Sequence, residues 1–487
     1  MSSPDPHFPA IHLRPPRHWV NDPNGLTHHD GHFHVFFQFN PESARHENMH
    51  WGHWRSRDLR AWELLPVALS PEPGGDDADG VWSGNAVSVD GRLVAFYSAR
   101  RDDRWWQPVT SASSNDGVHF EKSERLLVSK PPPGTVMFRD PYVWRDTCGW
   151  RMLVGAALDD GRAAALQYTS PDLVSWDYVG PFLSRRPEPL PTGDDTAQGW
   201  ECVQYAELVP GRGVLVVSGW NPATGAASAA AYVGEDRGAE FHPAELLAFD
   251  HGPDVYAPAL LQAPDGRWLA WSWVWEARDE ARVGAPGTWI DEVGWAGMLS
   301  LPRELSLTDH GLHQAPAREV GELRGRLLVR ATTLATSDEP SDLGTVGTVF
   351  DAVAVLSRSG DGLAASGMRL VTSDDGRERL DIGLDPTTGD VVVDRSRASL
   401  DPRAKRGSWR LPTAVAPGGT VELRAVVDGS VVEVFTETGM ALTARFYPCG
   451  RDGWRLRTNT AGEGAARLVL DVWELAPLDL DTGADRS

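Results

Sequence analysis

Short runs of alternating apolar and polar residues fill the first 310 positions of the chain. Examples are GLTHHDGHFHVFFQF (25–39), NAVSVDGRLVAFYS (85–98) and APALLQAPDGRWLAWSW (257–273). Strict alternation is typical of half-buried β-strands, and the Asp-Gly pair inside each run is the signal for a β-hairpin. Helical periodicity is nearly missing from this region. The pattern therefore predicts a chain of short antiparallel strands.

A short motif, S/T-x-D-x-x-x-aromatic, follows these strand pairs at broadly regular intervals. The clear copies are SRDLRAW (56–62), SNDGVHF (114–120) and SPDLVSW (170–176), and looser copies surround Asp236 and Asp309. Five units with several short strands each favour a five-bladed β-propeller. A single large β-sandwich with coincidental spacing is the alternative.

The segments that open the first four units carry polar residues at nearly equivalent positions. These residues are Asp22 in NDPNG, Ser83 in WSGNAV, Asp140 in FRDPYVW and Glu201 in WECVQYAEL. The first strand of a propeller blade commonly lines the central channel, so we expect the four side chains to share one funnel. Clustered carboxylates destabilise one another's charged forms, and catalysis is the function that explains such a cluster.

Asp22 stands between Asn21 and Pro23, ahead of an Asn24-Gly25 pair. Each residue of this stretch is common in turns, so a plain turn is one interpretation. The alternative is that a rigid bend holds a reactive carboxylate in place, because a nucleophile must be preorganised.

The second part of the chain carries its own strand pattern. After WAGMLSLPREL (295–305) tryptophan becomes scarce, and runs such as TVELRAVVDGSVVEVFTE (420–437) favour a separate antiparallel β-sandwich without a catalytic cluster. We therefore predict a catalytic propeller over 1–310, a linker with a connecting strand over 311–345, a β-sandwich over 346–478 and a disordered tail over 479–487.

Composition narrows the class of ligand. The formal net charge of −22 argues against a nucleic-acid partner and disfavours an anionic membrane surface. A hydrophobic content of 41% with 21 tryptophans is typical of a folded globular protein of this length, with more than one domain. A neutral or weakly charged small molecule is the ligand that fits best. The oligomeric state stays open.

Cysteine and lysine usage narrows the chemistry. The three cysteines, Cys148, Cys202 and Cys449, are far apart and form no CxxC pair, which favours a reducing compartment. The N-terminal segment has no apolar h-region, so we expect a cytoplasmic protein. Only three lysines occur, at positions 122, 130 and 405, which leaves little room for a Schiff-base mechanism.

Several motifs together resemble glycoside hydrolase family 32, the family of invertases, levanases and inulinases. In order, they are WVNDPNG (19–25), FFQFNP (36–41), WGHWRSRDL (51–59), WSGNAV (82–87), FRDP (138–141), WEC (200–202), DVYAP (254–258), WAGMLSLPREL (295–305) and SVVEVFTETGMALTARFYP (430–448). A lone RDP is weak, but this order over nearly the whole chain is specific. The resemblance implies a β-propeller followed by a β-sandwich.

The resemblance also implies roles for individual residues. Asp22 matches the nucleophile, Glu201 the general acid/base, and Asp140 the residue that holds fructose hydroxyls and stabilises the transition state. Glu201 stands between Trp200 and Cys202, an apolar setting that favours a protonated carboxyl. The further substrate-binding candidates are Asn21, Gln38, Trp51, Trp82, Ser83, Arg139, Asp254 and Tyr256.

Two positions depart from the family pattern. His46 stands where many relatives carry a tryptophan wall of the substrate pocket, and Val203 stands where proline is frequent. Neither change touches the three acids, so the departures concern substrate preference.

Three other signals have structural explanations as well as functional ones. The histidines between His28 and His53 are dense, yet retaining glycosidase chemistry needs no metal, and we predict no metal site and no cofactor. The pair Trp105-Trp106 has two interpretations, stacking on sugar and packing between blades. Cys202 lacks a matched histidine partner, so packing behind Glu201 is its expected role.

These inferences combine into one functional hypothesis. The chain is expected to be a retaining β-fructofuranosidase that releases terminal fructose from sucrose or short β-fructosides through a covalent fructosyl-enzyme intermediate. A fructosyltransferase would use the same acids with a sugar acceptor. A non-catalytic fructan-binding protein is the alternative from another class, but a pure binder has no need of a proton donor.

Overall fold

The computed structural model describes residues 5–278, 288–309, 311–336, 340–450 and 453–483. Strands make up nearly all of the regular structure in these ranges, as the alternation in the sequence predicts. No helix in the described part of the chain is both long and apolar enough to cross a membrane.

The first sixteen strands form four consecutive groups of four. They are β1 (His18–His29), β2 (His32–Asn40), β3 (His50–Ser56), β4 (Ala61–Leu69), β5 (Gly80–Val89), β6 (Arg92–Arg100), β7 (Val109–Ser114), β8 (Glu121–Lys122), β9 (Thr135–Asp146), β10 (Gly149–Leu158), β11 (Ala163–Ser170), β12 (Asp177–Arg185), β13 (Gly199–Val209), β14 (Arg212–Asn221), β15 (Gly225–Asp236) and β16 (Phe241–Ala248). Within each group every strand pairs antiparallel with the next along the chain.

A fifth sheet follows, with two small additions. Its elements are β17 (Val255–Gln262), β18 (Trp268–Val274), α1 (Thr288–Val293), β19 (Trp295–Ala296), β20 (Met298–Leu299), β21 (Arg303–Thr308) and β22 (Gly311–Pro316). The strands order as β17-β18-β21-β22, and β20 pairs with β18. Strand β19 instead joins the first sheet, parallel to β1. Strand β22 therefore extends this part beyond the boundary predicted at residue 310.

The first strands of the five sheets contact one another in a closed cycle. β1 contacts β5, β5 contacts β9, β9 contacts β13, β13 contacts β17, and β17 contacts β1. Apolar clusters fill the spaces between neighbouring sheets, for example that of Phe138, Tyr168 and Phe96 between the second and third. The cycle brings one end of each of these five strands, which are far apart in sequence, to the same region of the fold.

The repeated aspartate motif forms the connection between the third and fourth strands of each sheet. Asp58, Asp116 and Asp172 accept backbone N–H bonds from residues two and three positions ahead, and Asp236 accepts one from Gly238. Asp309 stands between β21 and β22. An aspartate in this position stabilises a tight turn by bonding its own backbone, which explains the repeat.

The remaining strands form two six-stranded sheets. The elements are α2 (Arg318–Glu322), β23 (Arg324–Thr336), β24 (Asp342–Thr345), β25 (Val349–Ser357), β26 (Ala364–Val371), β27 (Arg379–Leu384), β28 (Val391–Arg397), β29 (Ser408–Leu411), β30 (Thr420–Asp428), β31 (Val431–Thr436), β32 (Ala441–Arg445), β33 (Arg455–Gly462), β34 (Ala465–Leu475) and β35 (Asp479–Asp481).

These two sheets enclose one large apolar cluster. One has the order β23-β34-β25-β30-β31-β32 and the other β24-β33-β26-β27-β28-β29. Leu356, Leu423 and Leu470 of the first sheet and Ile382 and Val393 of the second belong to this cluster. The segment predicted as a linker, 311–345, contributes strands to both parts of the chain rather than acting as a spacer.

The end of the chain returns to the first sheet. Strand β35 pairs parallel with β4, with Leu480 opposite Trp62. The prediction of disorder from residue 479 is therefore wrong for Asp479–Asp481, because β4 offers an edge to pair with. Residues 484–487 of the predicted tail lie outside the described residues.

Buried charges join the two parts of the chain. Arg303 of β21 donates to Glu433 Oε2 of β31 at 2.7 Å, and His12 contacts Asp428 at 2.8 Å and Glu433 at 3.1 Å. Arg445 bonds Glu276 at 3.2 Å across the same interface. Burying so many charges is tolerable only when each has a partner, so the network fixes one relative placement of the two parts.

Candidate active site

A cavity of about 600 Å³ opens where the first strands of the five sheets meet. Most of the residues that the sequence predicts as site residues line it, namely Asn21, Asp22, Gln38, Trp82, Ser83, Arg139, Asp140, Glu201 and Tyr256. These residues are distant in sequence and come from all five sheets. The cavity lies within the usual size range of small-molecule sites.

Each first strand is irregular where it borders the cavity. The pairing register shifts at residues 20–23, 82–84, 139–142, 201–204 and 256–259. Three residues there have positive φ angles: Asp140 at 66°, Cys202 at 46° and Ala257 at 50°. Bulges of this kind turn a side chain away from its expected face, and here they aim polar groups at the cavity.

Asp22 lies inside strand β1 and not in a turn. The chain reverses later, at Asp30-Gly31, so the Asn24-Gly25 pair is not the hairpin that its composition favours. Gly25 has a φ of 53°, and a Cβ there would lie 2.7 Å from the Phe36 ring. The glycine is needed for a second irregularity in β1 and for close packing on β2.

The carboxylate of Asp22 is half-buried, and a neighbouring strand holds it. Its Oδ2 accepts a hydrogen bond from Ser83 Oγ at 2.6 Å. Burial, with a smaller contribution from the negative charge of Glu201, raises the pKa of Asp22 to about 6, while the Ser83 bond acts in the opposite direction. Near neutral pH the group is mostly ionised.

Asp140 is more deeply buried than Asp22. Burial and then the nearby Glu201 raise its pKa to about 7, against the opposing effect of Arg139. Its Oδ2 accepts the backbone N–H of Cys202 at 3.0 Å, which ties β9 to β13 at the cavity floor. Because proton affinity is high here, Asp140 is able to donate as well as accept a hydrogen bond near pH 7.

Glu201 stands in a more polar setting than its neighbours in sequence suggest. Arg139 Nε donates to Oε1 at 2.8 Å, and the Tyr256 hydroxyl donates to Oε2 at 2.7 Å. Its side chain keeps 18% of its surface exposed, so the carboxyl is accessible from the cavity. Two donors on two separate strands fix its orientation.

The thiol of Cys202 lies between two of the acids. Its Sγ is 3.6 Å from Asp22 Oδ2 and 3.6 Å from Asp140 Oδ2. Burial and the surrounding carboxylates raise the pKa of the thiol well above its ordinary value. A thiol in this state donates weak hydrogen bonds and is a poor nucleophile, in agreement with the packing role expected for it.

Trp51 and Asp254 are corrections to the predicted substrate-binding set. Trp51 is fully buried, and its indole N–H donates to the Trp82 carbonyl at 3.1 Å, so it supports a cavity residue from behind. Asp254 pairs with Arg395 and accepts the Arg445 N–H at 2.8 Å. Its carboxylate therefore faces the C-terminal sheets, where it is bound by the guanidinium of Arg395 and by the backbone N–H of Arg445.

Nine residues that line the cavity were not in the predicted set: His46, Trp105, Asp194, Trp220, Thr224, Gly225, Ala226, Ala227 and Trp273. Two of them carry a partial signal in the sequence, since His46 departs from the family pattern and Trp105 belongs to a polar stretch. Burial lowers the pKa of His46 to about 4, so its imidazole is neutral near pH 7. Trp220 carries no motif, and only the fold reveals its position.

The dense histidines of the first sheet do not form a metal centre. No group of three or more His, Cys, Asp or Glu side chains in the described ranges is arranged to hold a metal ion. His34 Nδ1 instead lies 2.9 Å from His53 Nε2 in a buried pair stacked on Phe36. The pair is packed inside the first sheet, away from the cavity.

Carboxylates that converge in a small-molecule cavity, here in a chain that is nearly all β, are the arrangement that glycoside hydrolases use. Comparison with protein families makes the assignment definite. Residues 12–316 match the glycosyl hydrolases family 32 N-terminal domain, and residues 319–474 match the family 32 C-terminal domain. The chain belongs to glycosyl hydrolase family 32, as its motifs indicated.

Named relatives and solved structures agree with this assignment. Sucrose-6-phosphate hydrolase of Zymomonas mobilis is 32% identical over 472 residues, covering 91% of this chain and 87% of the relative. Raffinose invertase of Escherichia coli is 34% identical over 336 residues, covering 65% of this chain and 66% of the relative. The structure of a Bombyx mori GH32 β-fructofuranosidase aligns with a TM-score of 0.78 at 26% identity, over 98% of this chain and 95% of that one.

Proposed function

We propose that this protein is a retaining β-fructofuranosidase that releases terminal fructose from sucrose or short β-fructosides. One observation carries the proposal: Asp22, Asp140 and Glu201 come from the first strands of three different sheets and border one cavity. Membership of family 32 and relatives named invertase and sucrose-6-phosphate hydrolase support the same substrate class.

In the first step, a carboxylate oxygen of Asp22 attacks the anomeric carbon of the fructosyl unit. The bond from that carbon to the leaving-group oxygen breaks, and Glu201 donates a proton to the departing oxygen. A covalent ester between Asp22 and fructose results. The Ser83 hydroxyl, which bonds Asp22 at 2.6 Å, orients the nucleophile and stabilises its charge before attack.

In the second step, Glu201 removes a proton from water, whose oxygen then attacks the same anomeric carbon. The ester bond breaks, and Asp22 leaves as a carboxylate with fructose in its original configuration. Asp140 holds fructose hydroxyls through both steps. Because its pKa is raised to about 7, its protonated carboxyl is able to act as the donor in one of these hydrogen bonds. The cycle uses no metal and no cofactor.

The other polar and aromatic groups of the cavity bind the fructosyl unit. Asn21, Gln38 and Arg139 offer amide and guanidinium donors to its hydroxyls, and Trp82 offers an apolar face. Gln38 is held by a bond from its Nε2 to the Val81 carbonyl at 3.0 Å. Tyr256 holds Glu201 in place and belongs to the same set.

We also propose an architecture and a compartment. The closed cycle of contacts among β1, β5, β9, β13 and β17 supports a five-bladed β-propeller, and the two later sheets support a β-sandwich. The structure of fructan 1-exohydrolase IIa from Cichorium intybus, with a TM-score of 0.84 at 23% identity, has this overall fold. The propeller would end with β22, near residue 316. Cys148, Cys202 and Cys449 are all free thiols, which supports a reducing, cytoplasmic environment.

The test is the release of glucose and fructose from sucrose by the purified chain. Equal amounts of both sugars are expected from hydrolysis, and Asp22→Asn and Glu201→Gln should each lower kcat by at least about a thousandfold. Asp116→Asn, which changes an exposed turn carboxylate, is the matched control and should keep full activity. Rapid acid quenching should trap a fructosyl ester on the peptide that contains Asp22.

Other outcomes would revise the proposal in defined ways. Glucose in excess over fructose, with growing oligosaccharides, would identify a fructosyltransferase. No release from sucrose, fructooligosaccharides, inulin or levan would refute the enzyme assignment and favour a fructan-binding protein.

A further inference from the structure

Two indole rings form one wall of the cavity. Trp105 and Trp220 lie with ring centroids 4.9 Å apart, and both line the cavity. Trp105 keeps 53% of its surface exposed, whereas Trp220 keeps only 7%. A large aromatic ring left half uncovered at a cavity wall is a surface suited to stacking on the apolar face of a sugar.

The fold fixes this wall beside Glu201 from two sides. Arg139 donates through Nη1 to the Trp105 carbonyl at 3.1 Å and through Nε to Glu201 at 2.8 Å. The Tyr256 hydroxyl lies 2.7 Å from Glu201 and 2.9 Å from the carbonyl of Gly219, the residue before Trp220. A leaving group must bring its oxygen to Glu201, so the rest of that sugar lies against these indoles.

One guanidinium group borders the wall. Among the described residues that line the cavity, Arg139 is the one with a permanent positive charge, and its Nε and Nη1 are already bonded to Glu201 and to the Trp105 carbonyl. Its guanidinium lies 5.0 Å from the Trp220 ring centroid, packed against the wall. Arg100 does not line the cavity. Its guanidinium lies 4.4 Å from the centroid of the Trp82 ring, and its Nη2 lies 3.8 Å from Asp103 Oδ1. His46 is neutral near pH 7.

Negative charge surrounds the wall instead. Asp194 joins Asp22, Asp140 and Glu201 in lining the cavity. A phosphate dianion on the leaving sugar would meet four acidic side chains and, among the described lining residues, one guanidinium group that is already bonded to Glu201 and the Trp105 carbonyl. An uncharged sugar would meet no such repulsion.

We propose that Trp105 and Trp220 form the leaving-group subsite and that this subsite takes an uncharged sugar, so the protein prefers sucrose to sucrose 6-phosphate. The inference rests on the proposed function, because it assigns the leaving-group side from Glu201 as the proton donor. It separates this chain from relatives whose names specify the phosphorylated substrate.

The first test compares two substrates that share the fructosyl unit. Trp105→Ala should raise KM for sucrose by about three- to tenfold and leave methyl β-D-fructofuranoside unaffected, because the methyl glycoside has no leaving sugar to stack. Trp105→Phe should restore most of the affinity for sucrose. Because Trp105 is half exposed, folding should be retained, and an unchanged Tm checks this point. Equal losses on both substrates, or no loss on either, would refute the subsite.

The second test uses the wild-type protein with sucrose and sucrose 6-phosphate. We expect kcat/KM for sucrose to exceed that for the phosphorylated sugar by at least about tenfold at low ionic strength. Equal or better cleavage of sucrose 6-phosphate would overturn the inference and leave the proposed function standing. Failure to cleave either sugar or the methyl glycoside would instead refute the proposed function itself.

Discussion

The partly buried position of Asp22 opposes the ionisation that a nucleophile needs. A nucleophile must be ionised, yet the protein interior disfavours its charge and raises its pKa to about 6. The hydroxyl of Ser83 acts against this effect through a bond of 2.6 Å. The serine of the second sheet thus contributes to the reactivity of an aspartate in the first.

This balance predicts the acid side of the pH profile. The logarithm of kcat/KM for sucrose should fall below an apparent pKa of about 6, where Asp22 becomes protonated. Ser83→Ala removes a bond that favours the carboxylate, so the fall should move to higher pH. Initial rates between pH 4 and 8 measure the shift.

Ser88→Ala is the matched control for this prediction. Ser88 lies on the same strand, β5, but bonds His29 at 2.8 Å instead of a cavity residue. Its profile should overlay that of the wild type. A Ser83→Ala profile with an unmoved acid limb would contradict the assignment of that limb to Asp22.

The sequence predicts the three acids as a group because each opens a repeat unit, and all three line one cavity. Arg139 and Tyr256 were predicted as substrate-binding residues but not as hydrogen-bond partners of Glu201, because they come from other sheets. Arg139 precedes it by 62 residues and Tyr256 follows it by 55. Asp254 shows the opposite error: it opens the fifth repeat unit, but the guanidinium of Arg395, from the C-terminal sheets, binds its carboxylate.

At the scale of secondary-structure elements, close backbone contacts between neighbouring sheets position the active-site residues. Gly155 of β10 is packed so tightly on β13 that an added Cβ would lie 2.2 Å from the carbonyl oxygen of Trp200. Trp200 immediately precedes Glu201, so this glycine sets the distance between the third sheet and the acid/base.

Gly155→Ala should therefore push β13 away and disturb Glu201. We expect a loss of about 1–3 kcal/mol in the free energy of unfolding and a clear reduction in kcat. Thermal unfolding and sucrose hydrolysis measure the two effects. Gly360→Ala is the control, because no heavy atom lies within 4 Å of the Cβ position there. Wild-type values in Gly155→Ala would show that the contact is not restrictive.

Strands and hairpins could be predicted from the sequence where the turn residues favour a single turn type. The Asp-Gly pairs at residues 30–31, 90–91 and 265–266 all form the expected hairpins, and the first two have positive φ at both positions. Asn24-Gly25 differs because a glycine with positive φ serves bulges as well as turns. The bulges themselves leave no pattern in the alternation of a fully buried strand.

At the scale of the whole molecule, buried ion pairs hold the five N-terminal sheets and the two C-terminal sheets together. His12 contacts Asp428 and Glu433, and these contacts outweigh its burial and raise the pKa of the imidazole to about 9. In an unfolded chain a histidine titrates near 6.5. The stabilisation is therefore complete below about pH 6.5 and is lost as pH rises through 9.

His12→Gln should lower Tm at pH 6, and the difference from the wild type should shrink steadily towards pH 9.5. The reason is that the substitution removes a charge that the wild type itself loses at alkaline pH. Differential scanning calorimetry across this range measures it. His242→Gln, at an exposed position of β16, should match the wild type throughout. A difference that is constant with pH would contradict the charged state of His12.

The first sheet is assembled from three separate regions of the chain. Its four consecutive strands are joined by β19, from residues 295–296, and by β35, from residues 479–481. On the ribosome, β35 therefore emerges more than four hundred residues after β4. Until then the outer edge of β4 has no partner strand from its own chain, and an unpaired edge of this kind is a site where other strands are able to pair.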